Sequence, residues 1–157
     1  MKYIVYILFL FSVEVYSQNI PICNKFTDLE PRLHFENDTL YIVNFWATWC
    51  KPCVMELPYF EKIHREFANQ KVKVLLISLD FPDKIETQLK PFLIRKQITA
   101  EVLVLNDGNE NEWINKVSPT WSGAVPATLI FKGNKREFYE KEFNEAELSA
   151  LIAKFLP

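Results

Sequence analysis

Residues 40–46 read Leu-Tyr-Ile-Val-Asn-Phe-Trp, an almost unbroken apolar and β-branched run. Such a run predicts a strand buried on both faces. The period changes after Cys50. Leu57, Phe60, Ile63 and Phe67 recur three or four residues apart, so a helix is expected over 51–67. Pro52 falls in its first turn, where a missing N–H costs little. Pro58 falls inside it and is expected to kink it. Residues 72–79 and 102–105 predict two more buried strands, the second closed by Asn106-Asp107-Gly108. Short helices are expected at 28–35 and 109–116. A further helical stretch at 83–97 should be broken or restarted by Pro91. Runs at 127–132 and 136–141 flank Gly133-Asn134, a hairpin signal. Asn144 is placed to cap a last helix whose Leu148, Leu151, Ile152 and Phe155 share one face. Strands interleaved with helices, closing on a hairpin and a helix, predict an α/β fold: a three-layer α/β/α sandwich.

The start of the chain departs from that pattern. Met1-Lys2 is followed by an apolar run over 3–13, then by Val15-Tyr16-Ser17. A basic start, a run shorter than the roughly 18 residues of a spanning helix and a small-residue site predict a secretory leader cut after Ser17. The alternative is a membrane tether, if the segment is retained. Residues 18–27 then form a lead-in and 28–157 a single domain. Export to a periplasmic or cell-envelope compartment is expected.

Composition adds exclusions. The 157 residues are 49% hydrophobic and 15% aromatic, which suits a packed domain and not a disordered chain. The formal net charge of −2 offers no basic footprint for nucleic acid. Three cysteines are too few for a disulfide scaffold.

Two of the three, Cys50 and Cys53, lie at the predicted strand-to-helix turn in Asn-Phe-Trp-Ala-Thr-Trp-Cys-Lys-Pro-Cys. A sulfur at a helix N-terminus faces free N–H groups and the positive end of the dipole, so its thiolate is favoured. Cys50 should therefore be the exposed, activated sulfur and Cys53 the buried one behind it. Such a pair can exchange disulfides, because its sulfurs are within bonding reach yet differ in thiolate character. A mere staple is disfavoured, since closing so short a loop stabilises little. Zinc is disfavoured too, because structural sites take four ligands and Cys23, His34 and His64 are scattered. No metal and no cofactor are expected.

A strand, a W-C-x-x-C motif and a helix with a proline five residues beyond the second cysteine resemble the thioredoxin superfamily. With Glu56 and Gly-Ala-Val-Pro-Ala-Thr-Leu-Ile-Phe, they resemble its TlpA/ResA branch of exported thiol-disulfide oxidoreductases. The resemblance implies a thioredoxin-like fold with a central mixed sheet. It makes Cys50 the nucleophile and Cys53 the resolving thiol. Pro126 becomes a cis-proline facing them, and the Val125 backbone the partner of an extended substrate. Trp49 and Pro52 are expected beside the substrate, Trp46 in the core, and Trp121 is undecided. Where cytosolic thioredoxins carry a buried aspartate, this chain has Asn44, which cannot titrate. Glu56, one turn beyond Cys53, is the candidate proton carrier; the alternative is a solvated helix glutamate.

The branch implies a reductase of exported protein disulfides, for example in cytochrome c maturation. Its electrons would come from a membrane donor of the CcdA/DsbD type, since no nicotinamide or flavin motif is present. An oxidase or isomerase would use the same sulfurs. A non-catalytic metal or haem chaperone fits intact cysteines poorly, and a peroxidase lacks its threonine-to-cysteine motif. A monomer is expected. Cys23 has no assigned role.

Overall fold

The computed structural model describes residues 19–156; the leader read at 1–17 lies outside them. The strands are β1 (Ile22–Cys23), β2 (Leu40–Trp46), β3 (Val72–Ser78), β4 (Glu101–Leu105), β5 (Ala127–Lys132) and β6 (Lys135–Tyr139). The α-helices are α1 (Phe26–Leu29), α2 (Lys51–Glu66), α3 (Lys90–Lys96), α4 (Glu110–Val117) and α5 (Glu145–Ala153). One sheet runs in the order β1-β4-β3-β2-β5-β6. β1, β4, β3 and β2 are mutually parallel, while β5 is antiparallel to both β2 and β6. The mixed sheet is thereby realised.

β2 is the central strand, and its pleat sorts the core into two layers. Leu40, Ile42 and Trp46 pack with Leu57, Phe60 and Ile63 of α2, with Phe92 and Leu93 of α3, and with Leu148 and Leu151 of α5. Val43 and Phe45 point to the other face, against Phe26 and Leu29 of α1 and Trp113 and Val117 of α4. Both faces of β2 are therefore dry, which is why it reads as a continuous apolar run. Leu148, Leu151 and Ile152 of α5, with Phe155 just beyond its end, are buried as a group. Asn144 caps that helix by accepting from Glu147 N at 2.9 Å, and Glu147 reciprocates.

Several elements differ from the pattern-based expectation. The helix expected at 28–35 starts earlier, as α1 followed by a 3₁₀ turn at Glu30–Leu33. The stretch at 83–97 is a 3₁₀ turn, a π-helical turn at Ile85–Leu89, and then α3. Pro91 sits in the first turn of α3; its missing N–H cannot continue the preceding ladder, so the chain widens there and restarts. Pro58 lies inside α2, which continues to Glu66. Ile20, Cys23 and Phe26, in the expected lead-in, are buried with the domain. β1 docks on β4, with Val104 N donating to Pro21 O at 2.9 Å and Asn106 N to Cys23 O at 2.8 Å. Two residues are too few to show any periodicity, so only the pairing defines that strand.

Among the described residues no helix is long and apolar enough to cross a membrane. The hairpin between β5 and β6 turns at Gly133, whose φ of 55° favours glycine. On the α2 side, Glu61 ties the helix to the segment entering β4. It accepts from Thr99 N at 3.0 Å, Ala100 N at 3.1 Å and the Thr99 hydroxyl, and pairs with Arg65 at 3.0 Å. Burial pushes its carboxyl up, but these donors outweigh burial and hold it below the usual range.

Candidate active site

The strand-to-helix turn after β2 brings the cysteines together. Cys50 N donates to Ala47 O at 3.1 Å, and Val54 N makes the first helical bond back to Cys50 O at 3.1 Å. Cys50 is the N-cap of α2 and Pro52 lies in the first turn. Cys50 and Cys53 are joined as a disulfide, with S–S 2.00 Å and Cα atoms 5.3 Å apart. Cys53 N points at Cys50 Sγ from 3.3 Å. A thiolate at Cys50 would therefore sit against an oriented N–H at the positive end of α2.

One expectation needs correction. Cys50 is not freely exposed: it is 6% accessible, against 0% for Cys53. The sulfurs share the α2-side core, and the Val125 carbonyl oxygen lies 3.7 Å from Cys50 Sγ. With the sulfurs joined there is no S–H, so that contact is not a hydrogen bond. The ranking of the two cysteines by exposure holds, but the difference is small. Chemical inequality comes from the helix terminus more than from solvent access.

Val125 and Pro126 lie opposite the pair, and the Val125-Pro126 bond is cis. Pro126 is buried and Val125 half-buried just before β5. Trp49 stands 62% exposed beside the sulfurs, Trp46 is wholly buried, and Phe81 is 67% exposed. Trp121, undecided from sequence, is buried. Its ring packs on Phe45, Trp113 and Phe138, and its Nε1 donates to Ala124 O at 2.8 Å.

Glu56 is not a solvated helix residue. It is fully buried on α2, one turn beyond Cys53. Asn44 Nδ2 donates to its Oε1 at 2.8 Å and Phe143 N to its Oε2 at 2.7 Å. Asn44 Nδ2 also reaches Thr128 Oγ1 at 3.1 Å, which ties β2, α2 and β5 into one polar cluster. Burial pushes the Glu56 carboxyl up to about 7, against the opposing pull of the Phe143 and Asn44 hydrogen bonds; Glu142 adds to the rise. Asn44 thus does not titrate but orients the group that does.

Two carboxylates that hold the segments leading to Cys50 and Val125 escaped the sequence reading. Asp80, 2% exposed just past β3, accepts from Thr48 N at 3.0 Å, Thr48 Oγ1 at 2.5 Å and Ser78 Oγ at 2.8 Å. It pins the turn that carries Trp49 and Cys50. Glu140, just past β6, accepts from Ser122 and Ala124 in the loop before Val125. No periodicity or motif marks either residue; apart from Ser78, two positions before Asp80, their partners are 32 and 16–18 positions away. Asp80→Ala leaves Thr48 N and Ser78 Oγ without their acceptor. A loss of about 2–3 kcal/mol is expected in urea unfolding, and an unchanged midpoint would remove Asp80 from this role.

Cys23 is an unpaired buried thiol in β1, and burial pushes its pKa up, which makes it inert. His34 is exposed and His64 half-buried. Among the described residues no group of three or more His, Cys, Asp or Glu side chains is gathered as for a metal ion.

Comparison with known proteins places this arrangement. The model of a family described as AhpC/TSA matches residues 31–136. The chain is 39% identical over 118 residues to the thiol-disulfide oxidoreductase ResA of Bacillus cereus, covering 73% of this chain and 62% of that protein. It is 37% identical over 111 residues to ResA of Geobacillus thermodenitrificans, covering 69% and 59%. The chain thus spans less than two thirds of the length of these relatives. The crystal structure of a thiol:disulfide interchange protein of the thioredoxin family from Chlorobium tepidum superposes with a TM-score of 0.63 at 20% identity, covering 82% of this chain and 85% of that one. That likeness establishes the thioredoxin-like fold.

Proposed function

Because this chain belongs to the AhpC/TSA family and has a thioredoxin-like fold, we propose that it is a thiol-disulfide oxidoreductase of ResA type that reduces disulfides of exported proteins. One observation carries the reading: the Cys50–Cys53 disulfide caps α2, and a buried carboxyl with a pKa of about 7 stands one turn behind it. A staple has no use for such a carboxyl.

The chemistry starts from the dithiol. The Cys50 thiolate attacks one sulfur of the substrate disulfide. The Cys50–substrate bond forms, the substrate S–S bond breaks, and the departing thiolate takes up a proton. Cys53 then loses its proton to Glu56 and attacks Cys50 Sγ. The mixed disulfide breaks, the second substrate thiolate leaves and takes up a proton from water, Glu56 gives the Cys53 proton back to water, and Cys50–Cys53 closes. Two electrons pass from the enzyme dithiol to the substrate disulfide. An external dithiol donor must restore the starting state, and the chain has no nicotinamide or flavin motif to replace it. A membrane donor of the CcdA/DsbD type fills that place. The N-terminal apolar run supports action outside the cytosol, where protein disulfides are available. Trp49, Pro52, Val125 and Pro126 border the sulfurs and are the proposed substrate contacts. The haem-attachment cysteines of an apocytochrome c are one substrate class that fits.

The test is a redox titration of the purified protein combined with an insulin-reduction assay. Lys51-Pro52 resembles the x-Pro pair of thioredoxin, not the x-His pair of strong oxidases. The potential is expected nearer the about −270 mV of thioredoxin than the about −120 mV of DsbA. A value at the oxidising end would convert the reading to a disulfide oxidase acting through the same sulfurs.

A further inference from the structure

Glu140 stands at the end of β6 and reaches sideways into another segment. Its Oε2 accepts from Ser122 N at 3.0 Å. Its Oε1 accepts from the Ser122 hydroxyl and from Ala124 N at 3.2 Å. All of its hydrogen bonds among the described residues go to the loop that delivers Val125 to the site. Apart from the Trp121 indole, that segment has little with which to hold its own shape. Ser122-Gly123-Ala124 offers one hydroxyl and no large side chain, and Gly123 sits at φ 96°, a conformation that ordinary residues rarely adopt. A Cβ at Gly123 would also come within 2.9 Å of Ile114 Cδ1, which the isoleucine can move aside, so it is the backbone angle that favours glycine there.

The loop is anchored from two sides. On the core side, Trp121 Nε1 donates to Ala124 O at 2.8 Å. On the outer side, Glu140 takes up the Ser122 and Ala124 N–H groups. Val125 follows at once, with its carbonyl oxygen 3.7 Å from Cys50 Sγ. A shift of this loop therefore changes the distance between Cys50 Sγ and the Val125 backbone beside it.

We propose that Glu140 is a positioning residue that fixes the Val125 backbone at the depth and register needed to seat an extended polypeptide against Cys50. This rests on the oxidoreductase reading above and assigns a residue to its selectivity for polypeptide substrates. The site is built for disulfides embedded in a polypeptide, because a small disulfide needs the sulfurs but not the aligned backbone. The side chain is half-exposed, so its removal frees the loop without opening the core.

The experiment compares two substrates, insulin and hydroxyethyl disulfide, with the reduced full chain. Glu140→Ala is expected to raise the KM for insulin on the order of tenfold with little change in kcat. The rate with hydroxyethyl disulfide should stay within about twofold of the unmodified protein. Glu140→Asp keeps a carboxylate acceptor and should recover part of the insulin KM. Glu140→Gln keeps the length but loses one acceptor oxygen, and should recover less than half. Equal slowing of both substrates in Glu140→Ala would mean a general effect on the fold and would overturn the proposal. So would an insulin KM that does not move. An unmodified protein inert toward both disulfides would instead bring down the oxidoreductase reading itself, and this inference with it.

Discussion

The Cys53→Ser protein is expected to accumulate as a covalent adduct with its substrate, visible on a non-reducing gel and dissolved by dithiothreitol. Cys50→Ser should capture nothing, and its turnover should fall on the order of a thousandfold or more, as when a catalytic nucleophile is removed. The physical ground is the asymmetry of the pair. Cys50 caps α2, and the Cys53 N–H is aimed at its sulfur from 3.3 Å. Both the partial positive charge and the oriented donor favour a thiolate at Cys50. Cys53 has no accessible surface, and a sulfur that no substrate can reach serves only to attack what is already bonded to its neighbour. Since Cys50 is itself only 6% accessible, the trapped species should form slowly with bulky folded proteins and faster with unfolded ones. Trapping by Cys50→Ser in place of Cys53→Ser would reverse the assignment.

Glu56→Gln is expected to do two opposite things: abolish the fall in stability with rising pH and slow the chemistry. The carboxyl titrates at about 7 in the folded chain against an ordinary value of 4.5. Between those values the folded state holds a proton that the unfolded state has released. Stability must then fall as pH rises from about 4.5 to about 7, and level off above. Glutamine has no such titration. The amide loses one acceptor oxygen, a cost that does not vary with pH; against that constant offset, the variant should gain on the unmodified protein by on the order of 3 kcal/mol between about pH 4 and about pH 8. The comparison is a series of urea unfolding curves across that pH range.

The kinetic effect runs the other way. The value of about 7 belongs to the disulfide form, in which no thiolate is present and burial is its leading cause. After reduction, Cys53 and Glu56 titrate as a coupled pair, and the neutral amide removes one partner. The apparent thiolate pKa should drop, and the step that moves the Cys53 proton should slow on the order of a hundredfold. Superimposable pH–stability and pH–rate curves for the two proteins would leave Glu56 a passive hydrogen-bond acceptor.

Much of this site could be read before any coordinates. The run at 40–46 is β2 to the residue, because a strand dry on both faces leaves a continuous apolar signature. The change of period after Cys50 locates the start of α2, and the cap at Asn144 locates the start of α5. The Gly133-Asn134 turn joins β5 to β6 as its chemistry demands. These are local matters: a few consecutive backbone and side-chain groups decide them. The two sulfurs at a helix N-terminus are local in the same sense, and so is the inequality the helix imposes on them.

What lay beyond the sequence is everything set by atoms distant along the chain. Nothing local to Glu56 distinguishes a solvated helix glutamate from a buried carboxyl. Its desolvation depends on α5 and Phe143 folding over it, and its orientation on Asn44, twelve residues away. The slight accessibility of Cys50 follows from the closeness of Val125, 75 residues on. β1 exists only because β4 offers it an edge. Asp80 and Glu140 are ordinary acidic residues until the fold sets each against the N–H groups of a loop beside the sulfurs. Periodicity, capping and turn chemistry are short-range and survive in the linear text. Desolvation and long-range hydrogen bonding arise only when the chain closes on itself, so the sequence by itself determined which two sulfurs stand at the helix start, and the tertiary structure decided what surrounds them.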